Sequence, residues 1–126
     1  MKKIKDTDRS KVRIAFDGKV YKTFHGTNAE QRFANEIRVL RHMEDRGCQF
    51  VPKLIATDVE ILDIVTTNCG QPVTQMSANK QQEVYRALEK FGVRLGDPFL
   101  RNITYCRHRN CFCVIDFELA DLLDNS

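Results

Sequence analysis

Leu95-Gly96-Asp97-Pro98-Phe99-Leu100-Arg101-Asn102 and, further on, Cys111-Phe112-Cys113-Val114-Ile115-Asp116-Phe117-Glu118 carry the polar residues on which the reading of this chain turns. Asp97 precedes Asn102 by five residues in an irregular segment between a helical and a strand pattern, and a loop there can present both groups to one point. Asp116 follows an alternating apolar run and shares a strand face with Phe112 and Val114. An aspartate at the end of such a strand is often a metal ligand or an active-site group. The plain alternative is a turn residue. Two carboxylates and one amide suit a hard cation such as magnesium, which takes few protein ligands and completes its shell with water and phosphate.

Working outward, Ile103–Cys106 and Cys111–Ile115 read as two strands joined by the polar Arg107-His108-Arg109-Asn110. Upstream, Ser77 starts a polar helix to about Phe91, with Val84, Leu88 and Phe91 on one side and Gly92 as its stop. Lys53–Ala56 and the β-branched run Val59–Thr67 read as strands, followed by the turn Asn68-Cys69-Gly70-Gln71-Pro72. Asn28 can cap a helix to about Arg46, with Phe33, Ile37, Leu40 and Met43 at helical spacing and Gly47 beyond. Val12–Phe16 and Lys19–Phe24 alternate about Asp17-Gly18, a two-residue hairpin signal. This order of elements predicts an α+β domain on an antiparallel sheet.

Two charges stand on apolar faces. Lys22 shares a strand face with Val20 and Phe24, and Glu36 lies on the helix stripe of Phe33, Leu40 and Met43. A buried lysine needs an anion and a buried glutamate a cation, so each satisfies the other if the helix packs on the sheet. In the alternative reading Lys22 snorkels to solvent and Glu36 marks the stripe's edge, with Glu30 a less well placed partner.

The 126 residues and 42% apolar content predict one domain. The net charge of +3 arises from 20 basic and 17 acidic residues that are interspersed, which argues against a nucleic-acid-binding surface. No stretch approaches the roughly 18 apolar residues of a membrane span, and the charged N-terminus has no signal-like apolar region. Five cysteines without an export signal imply free thiols, so a soluble cytoplasmic protein is expected. Cys106-x-His108-x-x-Cys111-x-Cys113 matches no common zinc spacing, and alternation accounts for Cys111 and Cys113 as inward strand residues.

Taken in order, Lys22, Glu36, Asp97 with Asn102, and Asp116-Phe117-Glu118 resemble the signature residues of the protein-kinase-like superfamily. The RIO-type, aminoglycoside and choline kinases are the most similar branches. Their catalytic loop often reads His-Gly-Asp-x-x-x-x-Asn, of which Gly96, Asp97 and Asn102 are present and Leu95 replaces the histidine. Asp-Phe-Glu stands for Asp-Phe-Gly in the choline-kinase-like branch, as at residues 116–118 here. The resemblance covers residues 12 to 120.

It implies a minimal kinase-like domain, residues 1–67 forming the N-lobe-like part with one αC-like helix and 68–126 a truncated C-lobe-like part. Lys22 would then contact the ATP phosphates, Glu36 would hold Lys22, Asp97 would orient or deprotonate the acceptor hydroxyl, and Asn102 with Asp116 would bind magnesium or manganese. Thr66, Thr67 and Asn68 would take the place of the adenine-binding hinge. ATP would be the co-substrate and a protein or small molecule the phosphoacceptor, with serine/threonine kinase-like activity and autophosphorylation. A pseudokinase that binds nucleotide or a protein partner is the alternative. No glycine-rich loop precedes Lys22, and only the first ten residues are left to replace it. Ten residues follow Asp116, so a partner protein or a second copy would complete the missing substrate platform.

Overall fold

Alternation in β3(Val20–Phe24) decides where the first layer lies, because Lys22 and Phe24 then point to one side. Phe24 is buried against Phe33 and Ile64, the two phenyl rings meeting edge to face at 5.8 Å. That contact joins β3 to α1(Ala29–Asp45) and to β5(Asp63–Thr66). With β1(Lys3–Asp6), β2(Ser10–Ile14) and β4(Leu54–Asp58) they form a five-stranded antiparallel sheet in the order β1-β2-β3-β5-β4. The structure is a computed structural model that describes residues 3–96 and 98–123, residues 3–5 as backbone only.

The C-terminal half of α1 faces a second layer. Val39, Leu40 and Met43 are buried there with Val84 and Leu88 of α2(Ala78–Glu89), Val93 of β7(Val93–Arg94), Ile103 of β8(Ile103–Cys106) and Val114 of β9(Cys111–Val114). Phe117, fully buried, joins the same cluster. The strands β6(Gln71–Pro72), β8 and β9 form a small antiparallel sheet, and β7 pairs with β10(Asp121–Leu122). Leu88 is completely enclosed, so Leu88→Ala is expected to destabilise the fold by about 2–5 kcal/mol in urea unfolding, through lost burial and an unfilled cavity.

Several expectations need correction. The first hairpin has a three-residue connection, Phe16 to Gly18, between the paired Ala15 and Lys19 (Ala15 N to Lys19 O, 3.0 Å). Gly18 N donates to Ala15 O and Gly18 takes a left-handed φ of 86°, the type I turn with a following bulge residue. Asn28 does sit at the start of α1, but in left-handed geometry and without a side-chain cap, whereas the Ser77 hydroxyl accepts from Lys80 N at 3.1 Å as expected of a cap. Val59–Leu62 forms a turn, with Val59 and Ile61 exposed; β-branched content marked the run as strand, yet neither residue has an apolar layer to face. The strand β1 and the ladder of β7 with β10 went unread. No helix among the described residues is long and apolar enough to cross a membrane.

Candidate active site

Three elements converge on Lys22. Its Nζ donates to Glu36 Oε1 of α1 at 2.9 Å and to Asp116 Oδ1, just past β9, at 3.1 Å, with Glu118 Oε1 3.9 Å away. The ammonium also lies 4.7 Å from the centre of the Phe24 ring. Burial alone would lower the lysine's pKa, but the carboxylates of Glu36, Asp116 and Glu118 outweigh it and hold Lys22 above its ordinary value. For Glu36, burial and the neighbouring Asp116 and Glu118 outweigh Lys22 and push the carboxyl up. Carboxylate oxygens of Glu36, Asp116 and Glu118 lie within 4.8 Å of one another, so these groups repel and depend on the cations around them.

Arg32, one helical turn before Glu36 and equally buried, relieves part of that crowding. Its Nη1 donates to Glu118 Oε1 at 3.0 Å, while Nε and Nη2 reach the carbonyls of Thr27 (2.9 and 2.6 Å) and His25 (2.7 Å). From the same helix the Asn35 side-chain amide donates to the carbonyls of Glu118 at 3.0 Å and Ala120 at 2.8 Å. Asp116 takes a left-handed φ of 75°, which turns the chain sharply out of β9 toward these anchors.

The segment carrying Asn102 is brought beside Asp116 by main-chain pairing, since Ile115 N donates to Asn102 O at 2.8 Å. Asn102 ends a short 3-10 turn, Leu100–Asn102, and is almost wholly buried. On the far side of residue 97, β7 pairs with β10 and Gly96 packs so closely on Leu119 that a Cβ there would sit 2.5 Å from the Leu119 carbonyl oxygen. Asp97 itself lies outside the described residues.

A cleft of about 480 Å³ opens over these groups, and Lys22, Glu36, Thr66, Thr67, Asn68, Asn102 and Asp116 all line it. Seven of the eight residues singled out in the sequence are therefore gathered at one cavity. Within 66–68, Thr67 is doubly tied to Lys53: its N–H donates to the Lys53 carbonyl at 3.0 Å, and its hydroxyl accepts from Lys53 N at 2.9 Å. Asn68 Oδ1 accepts from Gly70 N at 2.8 Å. A base entering here would find the Thr67 amide already engaged.

Residues of this site that the sequence reading did not single out are Arg32 and Asn35, which fix Glu118 and its neighbours from α1, and Arg9, which reaches Glu118 Oε2 at 3.8 Å. For Arg32 a signal existed, since it stands four residues before Glu36 on the same helix face. The cysteines form a separate feature: all five are free, and Cys69, Cys106 and Cys113 are buried together beside Cys111. Among the described residues, no cysteine or histidine belongs to a group close enough to hold an ion.

No family model matches the sequence, and no curated protein matches it. Among solved structures, the chain is similar to the crystal structure of a Rio2 kinase–ADP/Mg2+–phosphoaspartate complex from Chaetomium thermophilum, with a TM-score of 0.68 and 18% identity. The match covers 99% of this chain and 49% of that one, so the chain spans about half the length of the kinase it matches. With its five-stranded sheet, the helix packed against it and the C-terminal hairpin, this chain has a protein-kinase-like α+β fold.

Proposed function

We propose that the protein is an ATP- and magnesium-dependent phosphotransferase that transfers a γ-phosphoryl group to a hydroxyl, with serine/threonine protein kinase-like activity that includes autophosphorylation. The observation that carries this reading is the Lys22 ammonium, held by Glu36 at 2.9 Å and Asp116 at 3.1 Å at the base of the cleft. In that position Lys22 would meet the α- and β-phosphates while Glu36 keeps it oriented. Thr66, Thr67 and Asn68 would border the base. Asp97 would orient the acceptor hydroxyl.

The donor set fits a divalent cation. Asp116 offers a partly exposed carboxylate that lines the cleft and accepts from Lys22 through Oδ1, whereas Glu36 and Glu118 are buried and engaged by Lys22 and Arg32. Asp116 and Asn102 would hold magnesium or manganese, which supplies neutralisation of the phosphate charge. The chain's own task is then positioning: it aligns the polyphosphate, holds the acceptor oxygen in line and keeps Lys22 charged. As one kinase-like domain, with residues 1–67 and 68–126 as its two parts, it would act in the cytoplasm on a protein or small-molecule acceptor.

One observation favours a second reading. Leu95, buried where related catalytic loops carry histidine, leaves the loop without that organiser, which suits a nucleotide-binding pseudokinase. Calorimetry with Mg-ADP and a labelled-ATP transfer assay separate the two. The kinase reading expects Asp97→Ala to keep Mg-ADP affinity and lose transfer. Binding without transfer in the unaltered protein favours the pseudokinase, and absence of both rejects the proposal.

A further inference from the structure

The turn Thr7-Asp8-Arg9 joins β1 to β2 and borders the same cleft as Lys22 and Asp116. In a phosphate-binding turn the usual ligands are main-chain N–H groups. Here three of them are engaged within the turn: Thr7 N donates to Ser10 O at 2.8 Å, and the N–H groups of Arg9 and Ser10 donate to the Thr7 hydroxyl at 3.2 and 3.1 Å. One threonine side chain thus takes two amides that a glycine-rich turn would leave for a ligand.

The turn is also anchored from below. The Arg9 carbonyl accepts from His25 N at 2.9 Å and from Arg32 Nη1 at 3.3 Å. The Asp8 carbonyl rests on Gly26, where a Cβ would collide with it and where φ is +81°. A backbone held in this way has little freedom to fold down over a polyphosphate, which favours a side-chain contact from this side.

Arg9 is the cation in that position. Its guanidinium is 3.8 Å from Glu118 Oε2 and the side chain is 41% exposed, a separation too long for a hydrogen bond. Such a loose pair, solvated on its arginine side, is readily exchanged for a phosphate oxygen, which a guanidinium binds in bidentate fashion. With Lys22 and Arg32, Arg9 also brings three cations to face the three carboxylates Glu36, Asp116 and Glu118.

The geometry points to Arg9 as a phosphate-binding residue that contacts the terminal phosphate of a nucleoside diphosphate, so that a side-chain clamp replaces a main-chain cover. This rests on the nucleotide-binding reading above. It goes beyond that reading by assigning a residue outside the expected set and a different kind of recognition.

The test is calorimetry of the full chain with Mg-ADP, paired with urea unfolding of each variant. Arg9→Ala is expected to weaken Mg-ADP binding by about 10- to 100-fold, the loss of charged hydrogen bonds, with an unchanged urea midpoint. Arg9→Lys should recover part of the loss, because it restores charge without the fork. Arg109→Ala, which removes the same charge from a residue outside the cleft, should bind like the unaltered protein. Equal affinity in Arg9→Ala and the unaltered chain overturns the assignment and leaves nucleotide binding standing. An equal loss in Arg109→Ala, or a lowered urea midpoint in Arg9→Ala, overturns it as a net-charge or structural effect. No Mg-ADP binding by the unaltered chain removes both readings together.

Discussion

Asp116→Asn is expected to lower phosphotransfer on the order of 10²- to 10³-fold, the cost of removing one charge-stabilising group from a preorganised site, while the protein stays at least as stable. The two effects have separate origins. Asn retains the shape of Asp and tolerates the left-handed φ of 75°, so the turn out of β9 is preserved. It removes a negative charge from a cluster in which Glu36, Asp116 and Glu118 share Lys22 and Arg32, which relieves repulsion in the free protein. The same charge is what magnesium and phosphate would need. A transfer assay beside thermal unfolding checks both; unchanged turnover would sink the proposed role of Asp116, and a large fall in Tm would make it a structural residue.

Arg32→Ala is expected to have the opposite signature, a loss of stability of about 3–5 kcal/mol, the penalty for leaving one member of a buried ion pair without its partner. Glu118 would keep only its more distant contacts to Lys22 and Arg9, and the carbonyls of His25 and Thr27 would lose their guanidinium donors. Replacing both members, Arg32→Leu with Glu118→Leu, should restore much of the loss because no isolated charge remains. Urea midpoints of the single and double variants decide it. If the single variant unfolds like the unaltered protein, the network is not a structural support.

The legible parts of this chain were those in which polarity and spacing conflict. Lys22 and Glu36 were readable because each stands on an apolar face, and the structure joins them at 2.9 Å. The C-terminal hairpin and both helices were readable from period together with their turn and stop residues, and Ser77 behaves as the cap its position suggests. The strand β1 was not, because Lys3-Ile4-Lys5-Asp6 is a polar edge strand with one apolar residue, and its pairing partner supplies the order. Two-residue ladders such as β7 with β10 are too short to show any period. Arg9 was illegible for a different reason: a polar turn residue acquires meaning only when the fold brings Glu118 within reach.

Asn35 places a mechanical constraint on how this protein can change shape. Its amide ties α1 to the carbonyls of Glu118 and Ala120, and Arg32 ties the same helix to the Glu118 side chain. An outward swing of the helix that left residues 118–120 in place would break all three of these hydrogen bonds, one of them buried. Helix and loop are thereby coupled, with Lys22 held between Glu36 and Asp116 beside the joint. A stimulus that opens or closes the cleft has to shift this unit as a whole.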